Sequence, residues 1–330
     1  MRYSMINSSK LKKYIIAIFF SLTFVYSNAP LKADIKVVTT IQPLHSLVAN
    51  VMDGTGDLGL ILEGSASPHN FSLKPSHAKM LEKADVVFWF GEDLEIFLEK
   101  ALKTIPTKAK IISFMKLKEI PKLKFREKNI FEHDDHKDEH KDEHKDGHDE
   151  HKDEHKDEHD HAHGEFDVHL WLDPINAKIM VKEIAHVLSD VDPSNAKKYN
   201  NNANKTLLKL DRMVLDIKKS INKRARFITF HDAYQYFEKR FEVASMGALT
   251  VNTDVQPGAK QISEIRKHVK EENIKCIFSE PQFNPKIIKV IAESTNIKTG
   301  VFDPLGSSFK PGKSLYFSLI NDLSKNLSGC

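Results

Sequence analysis

One imidazole is set among large apolar side chains and closed by a proline turn in Asp167-Val168-His169-Leu170-Trp171-Leu172-Asp173-Pro174. A setting this rigid fixes a ring well enough for it to ligate a metal ion. Three further residues can join His169. His69 stands at the tip of the small-residue loop Gly64-Ser65-Ala66-Ser67-Pro68-His69, His231 ends the apolar run Phe227–Phe230, and Asp303 ends the run Thr299–Phe302 just before Pro304. Three neutral imidazoles and a carboxylate suit zinc, whose nitrogen ligands sit at about 2.0–2.1 Å, whereas manganese takes a larger share of carboxylate oxygen. Taken singly, each of these histidines is an ordinary core or surface residue. The case for a site is that every one of them falls in a loop or at a strand end.

A second concentration of ligating groups is of a different kind. From Glu132 to His163 the sequence reduces to repeats of His, Lys, Asp and Glu, and it holds His133, His136, His140, His144, His148, His151, His155, His159, His161 and His163, ten of the 17 histidines of the chain. With Ala162 as its only apolar residue, this segment cannot join a core and is expected to be a disordered loop. A solvated charge run needs no histidine, so the composition points to auxiliary metal capture. The four-residue spacing would align successive imidazoles if the segment became helical on binding.

These groups must be carried by a scaffold, and the apolar periodicity describes one. Ile35–Thr40, Leu58–Leu62, Val86–Phe90 and Ile111–Phe114 read as strands, and Pro43–Met52 and Asp93–Leu102 as helices, with Ser76 placed to cap one more. Asn176–Leu188 follows as a helix. Asp192-Pro193 then opens a long one to about Ile221, about 29 residues or roughly 43 Å, which suits a bridge between two lobes. A second alternating set contains Phe227–Phe230, Val243–Ser245, Cys276–Ser279 and Thr299–Phe302 as strands, and Ile262–Lys270, Pro285–Ser294 and Gly312–Leu327 as helices. The fold class is α/β: two βα lobes with mostly parallel sheets, joined by one rigid helix, with the metal site in the cleft between them. The expected division is 1–33 signal peptide, 34–190 first lobe including the loop 132–163, 191–222 connecting helix, and 223–330 second lobe. His231, Glu280 and Asp303 each follow a strand, and open α/β sheets bind ligands at that end.

The opening residues carry Arg2, Lys10, Lys12 and Lys13 before the apolar run Tyr14–Tyr26, the pattern of a cleavable secretory signal, with cleavage expected after Ala33. The run is too short to span a bilayer, no later segment supplies a longer one, and the signal has no cysteine to acylate. Export implies an oxidising compartment, so the two cysteines, Cys276 and Cys330, are expected to pair. The net charge of +3 hides a segment about ten charges negative at 132–163 and a dispersed positive remainder without aromatic interleaving, which speaks against a nucleic-acid partner.

The motifs Gly64–Ser76, His169-Leu170-Trp171-Leu172-Asp173-Pro174, Phe230-His231-Asp232-Ala233-Tyr234, Ser279-Glu280-Pro281-Gln282-Phe283 and Asp303-Pro304-Leu305-Gly306 resemble, in order, the signatures of the periplasmic zinc-binding receptors of ABC importers, the ZnuA type. That resemblance implies metal ligation by His69, His169 and His231. It also implies two lobes joined by one long helix, a His- and acid-rich loop before the second ligand, and a Cys276–Cys330 disulfide. Related manganese receptors tend to carry Glu at the position of His231. Some zinc members place a carboxylate directly before the first histidine, where this chain has Pro68. The fourth position is therefore left to Asp303, directly or through water, or to water alone. Glu280 is expected to be structural, salt-bridged between strands, with support of a metal-bound ring as the alternative, and His77, His186 and His268 to be solvated.

The expected function is that of a periplasmic, monomeric, non-enzymatic receptor that binds zinc with high affinity and hands it to an inner-membrane ABC permease driven by an ATPase. One alternative is a manganese or iron receptor of the same build. Another is a secreted zinc hydrolase, since three histidines and an open position also make a catalytic arrangement, with Asp303 as the base. The chain lacks a compact H-E-x-x-H ligand pair, which weighs against the hydrolase. An adhesin-like surface role using the same site is a third.

Overall fold

A computed structural model describes residues 34–105, 108–126, 164–250 and 257–330. The expectations for 1–33 and 132–163 lie outside these residues. Two four-stranded sheets organise the chain. The first contains β1 (Lys36–Thr39), β2 (Asp57–Leu60), β3 (Val86–Trp89) and β4 (Lys110–Ser113) in the order β2-β1-β3-β4, every pair parallel. The second contains β5 (Phe227–His231), β6 (Ala248–Thr250), β7 (Cys276–Ser279) and β8 (Lys298–Val301) in the order β6-β5-β7-β8, again all parallel. The two lobes thus share one topology.

The central strands β1, β3, β5 and β7 are short and mostly apolar, buried on both faces as parallel strands covered by helices must be, whereas the edge strands β4 and β8 are largely exposed. Val37, Val86 and Phe88 face a central core, whereas Val38, Val87 and Trp89 face an outer layer. In the second lobe Phe227 and Phe278 turn inward, and Ile228, Phe230 and Ile277 turn outward. Residues on the inner faces of both sheets belong to one apolar cluster.

The helices are α1 (Gln42–Val51), α2 (Pro75–Glu82), α3 (Ile96–Thr104), α4 (Pro174–Val191), α5 (Ala196–Ser220), α6 (Gln235–Phe241), α7 (Ala259–Glu271), α8 (Lys286–Thr295) and α9 (Leu315–Leu327). At 25 residues, α5 is the longest among the described residues. It lies against α4, α1 and α9, and its end leads into β5. It begins later than the Asp192-Pro193 signal implied. The Asp192 carboxylate takes hydrogen bonds from Ser194 Oγ, Asn195 Nδ2 and Tyr199 Oη, and Pro193–Asn195 closes as a separate 3-10 turn. The last helix returns to the first lobe, where the Tyr316 N–H donates to Ser46 Oγ at 3.0 Å and Asn50 Nδ2 donates to Lys313 O at 2.7 Å.

Three local expectations are corrected. Val243–Ser245 is not a strand: Glu242 is left-handed at φ 56°, and the Val243 N–H turns back to Glu238 O to close α6. The sheet resumes at Ala248, and α6 itself was not legible. Ser76 lies inside α2, which Lys74 and Pro75 open. His77 is buried rather than solvated, stacked on Phe71 and accepting from the Lys74 N–H at 3.2 Å.

Candidate metal centre

His69 arrives on a short 3-10 turn, Pro68–Asn70. Ser67 caps the turn by accepting the His69 N–H at 3.3 Å, and Pro68 supplies the fixed φ that starts it. Gly64, at φ +68°, reverses the chain before it, and its carbonyl is held by Gln42 Nε2 at 2.8 Å. A loop of small residues is therefore pinned to α1 and delivers one ring.

His169 precedes a second 3-10 turn, Leu170–Leu172. Asp167 grips it twice, accepting the backbone N–H of His169 at 2.9 Å and lying 2.7 Å from ring Nδ1. This leaves Nε2 as the outward nitrogen. Trp171 anchors the turn between the lobes: its indole N–H donates to Pro304 O at 2.7 Å, its own carbonyl accepts from Tyr316 Oη at 2.7 Å, and its ring packs 4.8 Å from that of Phe90. Burial pushes the Asp167 carboxyl up to about 7, against the His169 N–H and the nearby charges of His231 and Arg126.

His231 is the last residue of β5. Glu280, just past the end of neighbouring β7, lies 2.7 Å from its Nδ1, so Nε2 again points outward. Glu280 does join the ends of two strands, as expected, but its partner is the ring of a site histidine. Burial alone would lower the His231 pKa. The Glu280 charge and hydrogen bond, with Asp232 and Asp167 behind them, outweigh it and raise the ring above its ordinary value.

The structure brings His69, His169 and His231 together. One ligand atom from each lies within 4.8 Å of the others, and the Nε2 atoms of His169 and His231 are 3.4 Å apart. Such an arrangement can close on one divalent ion through neutral nitrogen. Two of the three rings have a carboxylate behind them, the pattern that sets tautomer and orientation in metal-binding histidines. Asp303 is not brought into this group. Its Oδ1 accepts from Gln282 Nε2 and from the N–H groups of Leu305 and Gly306, and its Oδ2 accepts from Ser307 Oγ and the Ser308 N–H. Five donors bind the carboxylate to its own loop and to Gln282. Asp167 had no role assigned from sequence, although the Asp-x-His spacing was visible.

The ten histidines of 132–163 lie outside the described residues. Cys276 and Cys330 form the expected disulfide. No helix among the described residues is long and apolar enough to cross a membrane.

The chain matches known proteins along most of its length. The family model described as ZnuA, zinc-uptake complex component A, periplasmic, matches residues 37–330. The high-affinity zinc uptake system protein ZnuA of Brucella abortus is 45% identical over 303 residues, covering 89% of this chain and 91% of that protein. The protein of the same name from Yersinia pestis is 34% identical, covering 90% and 92%. Among solved structures, one described as a crystal structure of ZnuA superposes with a TM-score of 0.70 at 20% identity, covering 89% of this chain and all of that one. The laminin-binding protein of Streptococcus agalactiae, described as having adhesin and metal-transporting activity, superposes at 0.67 and 23%, covering 88% and 98%. Paired histidine–carboxylate supports converging from two matching lobes, and a family match over nearly the whole described chain, place this protein in the ZnuA family of periplasmic zinc-uptake components.

Proposed function

We propose that this protein captures zinc in the periplasm through His69, His169 and His231 and delivers it to an ABC permease and its ATPase in the inner membrane. The observation that carries the reading is the convergence of three imidazole ligand atoms within 4.8 Å, two of the rings backed by the buried carboxylates of Asp167 and Glu280. An all-nitrogen protein ligand set favours zinc over manganese or iron. A hydrolase needs a free base beside a metal-bound water, and the Asp303 carboxylate, the candidate for that base, is occupied by five donors.

Residues 34–190 and 223–330 act as two lobes about the connector 191–222, and residues 1–33 direct export. The apolar cluster shared by both lobes argues for small rocking or loop movement on metal exchange rather than wide hinge closure. The protein works as a monomer, and the histidines of 132–163 gather zinc weakly for the buried site or sense its occupancy.

The test is calorimetric titration with zinc and manganese of the unsubstituted protein, of His169→Ala and of a variant lacking 132–163. High-affinity zinc binding is expected to vanish in His169→Ala and to survive the deletion. The reverse result would move the principal site into 132–163 and overturn the reading.

A further inference from the structure

Gln282 follows β7 by three residues, and its amide does two different things. Nε2 donates to Asp303 Oδ1 at 3.0 Å, and because a carboxylate only accepts here, this contact decides which end of the amide is nitrogen. The other end, Oε1, is buried and receives no hydrogen bond from any described residue. Gln282 lines the same small pocket as His69, His169 and His231. Buried acceptors without donors are rare, because nothing offsets their loss of water.

Three imidazoles leave a four-coordinate ion one ligand short. Pro68 offers no donor atom there, Asp303 is held by its loop, and Asp167 and Glu280 are engaged with the Nδ1 atoms on the far sides of their rings. We propose that Gln282 is a positioning residue for the fourth coordination position: its amide oxygen accepts a hydrogen bond from the water that completes the coordination of the bound ion, and Asp303 holds the amide in that orientation. The reading rests on zinc capture at this site.

Charge explains why an amide belongs here. A divalent ion facing three neutral rings is already balanced by the two carboxylates behind them, so a neutral acceptor orders the water without adding net negative charge. A carboxylate at 282 would instead supply a hard oxygen ligand, the preference of manganese.

The test uses zinc affinity by chelator competition, cobalt(II) absorption as a probe of coordination, and the melting temperature of the metal-free protein. Gln282→Leu is expected to weaken zinc binding by about 10–100-fold and to change the cobalt bands, whereas loss of the hydrogen bond to Asp303 lowers metal-free melting by a few degrees without moving the cobalt bands. Gln282→Glu is expected to narrow the preference for zinc over manganese. Gln282→Met, of similar length but without the acceptor, replaces Gln282→Leu if that variant folds poorly. Zinc affinity close to that of the unsubstituted protein, or a loss with unaltered cobalt bands, overturns the assignment and leaves Gln282 as a prop for the Asp303 loop. If the unsubstituted protein itself fails to bind zinc, the receptor reading falls; if it binds and the variants bind equally, only the role of Gln282 does.

Discussion

Arg240 holds Asp173 with two parallel hydrogen bonds, Nε to Oδ1 and Nη2 to Oδ2, each 2.7 Å. Arg240 lies on α6, which follows His231, and Asp173 closes the turn that follows His169. One fork thus ties together the segments carrying the second and third histidines. Asp173 is largely buried and also caps α4 by accepting the Ile175 N–H at 2.8 Å. Arg240→Ala is expected to cost about 1.5–3 kcal/mol of stability and to weaken zinc binding, because a buried carboxylate loses its partner. Arg240→Lys should recover only part of both, since a lysine cannot reproduce the fork. Urea unfolding and chelator competition read the two effects.

The carboxylates behind the rings should matter almost as much as the rings. Glu280→Gln and Asp167→Asn are each expected to reduce zinc affinity by about 10–100-fold without unfolding the protein. Equilibrium competition against a fluorescent chelator checks this, and affinities unchanged in both would show that ring orientation comes from packing alone.

Zinc affinity should fall as the pH drops, because only the neutral imidazole binds. The Glu280 carboxylate raises the His231 pKa despite burial, so proton competition begins at a higher pH than for an ordinary histidine. Glu280→Gln removes the chief raising influence and lets burial depress the ring. The onset of zinc loss should therefore move to lower pH, as affinities measured across about pH 5 to 8 would reveal.

Away from the site, Glu95 is fully buried. It accepts the Phe90 and Gly91 N–H groups and the Thr40 hydroxyl, and burial pushes its carboxyl from 4.5 up to about 7. The unfolded chain releases this proton near 4.5 while the folded protein keeps it to about 7, so stability declines as the pH rises through that window and is level above it. Glu95→Gln keeps an acceptor for the two N–H groups and places a donor toward Thr40. It is expected to be more stable than the unsubstituted protein at alkaline pH, by on the order of 3 kcal/mol, with the difference vanishing below pH about 4.5. Thermal unfolding as a function of pH measures it.

The Cys276–Cys330 bridge closes 54 residues and ties the chain terminus to β7. Cys330→Ser is expected to cost about 2–4 kcal/mol. A denaturant midpoint that falls equally on reduction of the unsubstituted protein would confirm that the bridge is responsible.

Much of the scaffold was legible because short β-branched runs bounded by Gly and Pro have few alternatives as strands. Val86–Trp89 and Cys276–Ser279 fell within a residue of the sequence reading. The region around Val243 was not legible. Its apolar residues are those of a helix end and a loop that pack inward, and three residues carry no period that separates such a segment from a strand.

Local pattern alone determined that this chain builds two parallel βα halves and that His69, His169 and His231 stand at loops and strand ends, since alternation, caps and breakers act over a few residues. Which carboxylate serves the site was decided only by tertiary structure. Asp303 and Glu280 both follow a strand in the same lobe, and nothing near either in the chain separates them. Parallel pairing of β5 with β7 sets Glu280 against the His231 ring, 49 residues away, while the loop after Asp303 folds five donors onto it and keeps it for itself. Hydrogen-bond partners at such separations are chosen by the packing of whole elements, on which local sequence carries no information.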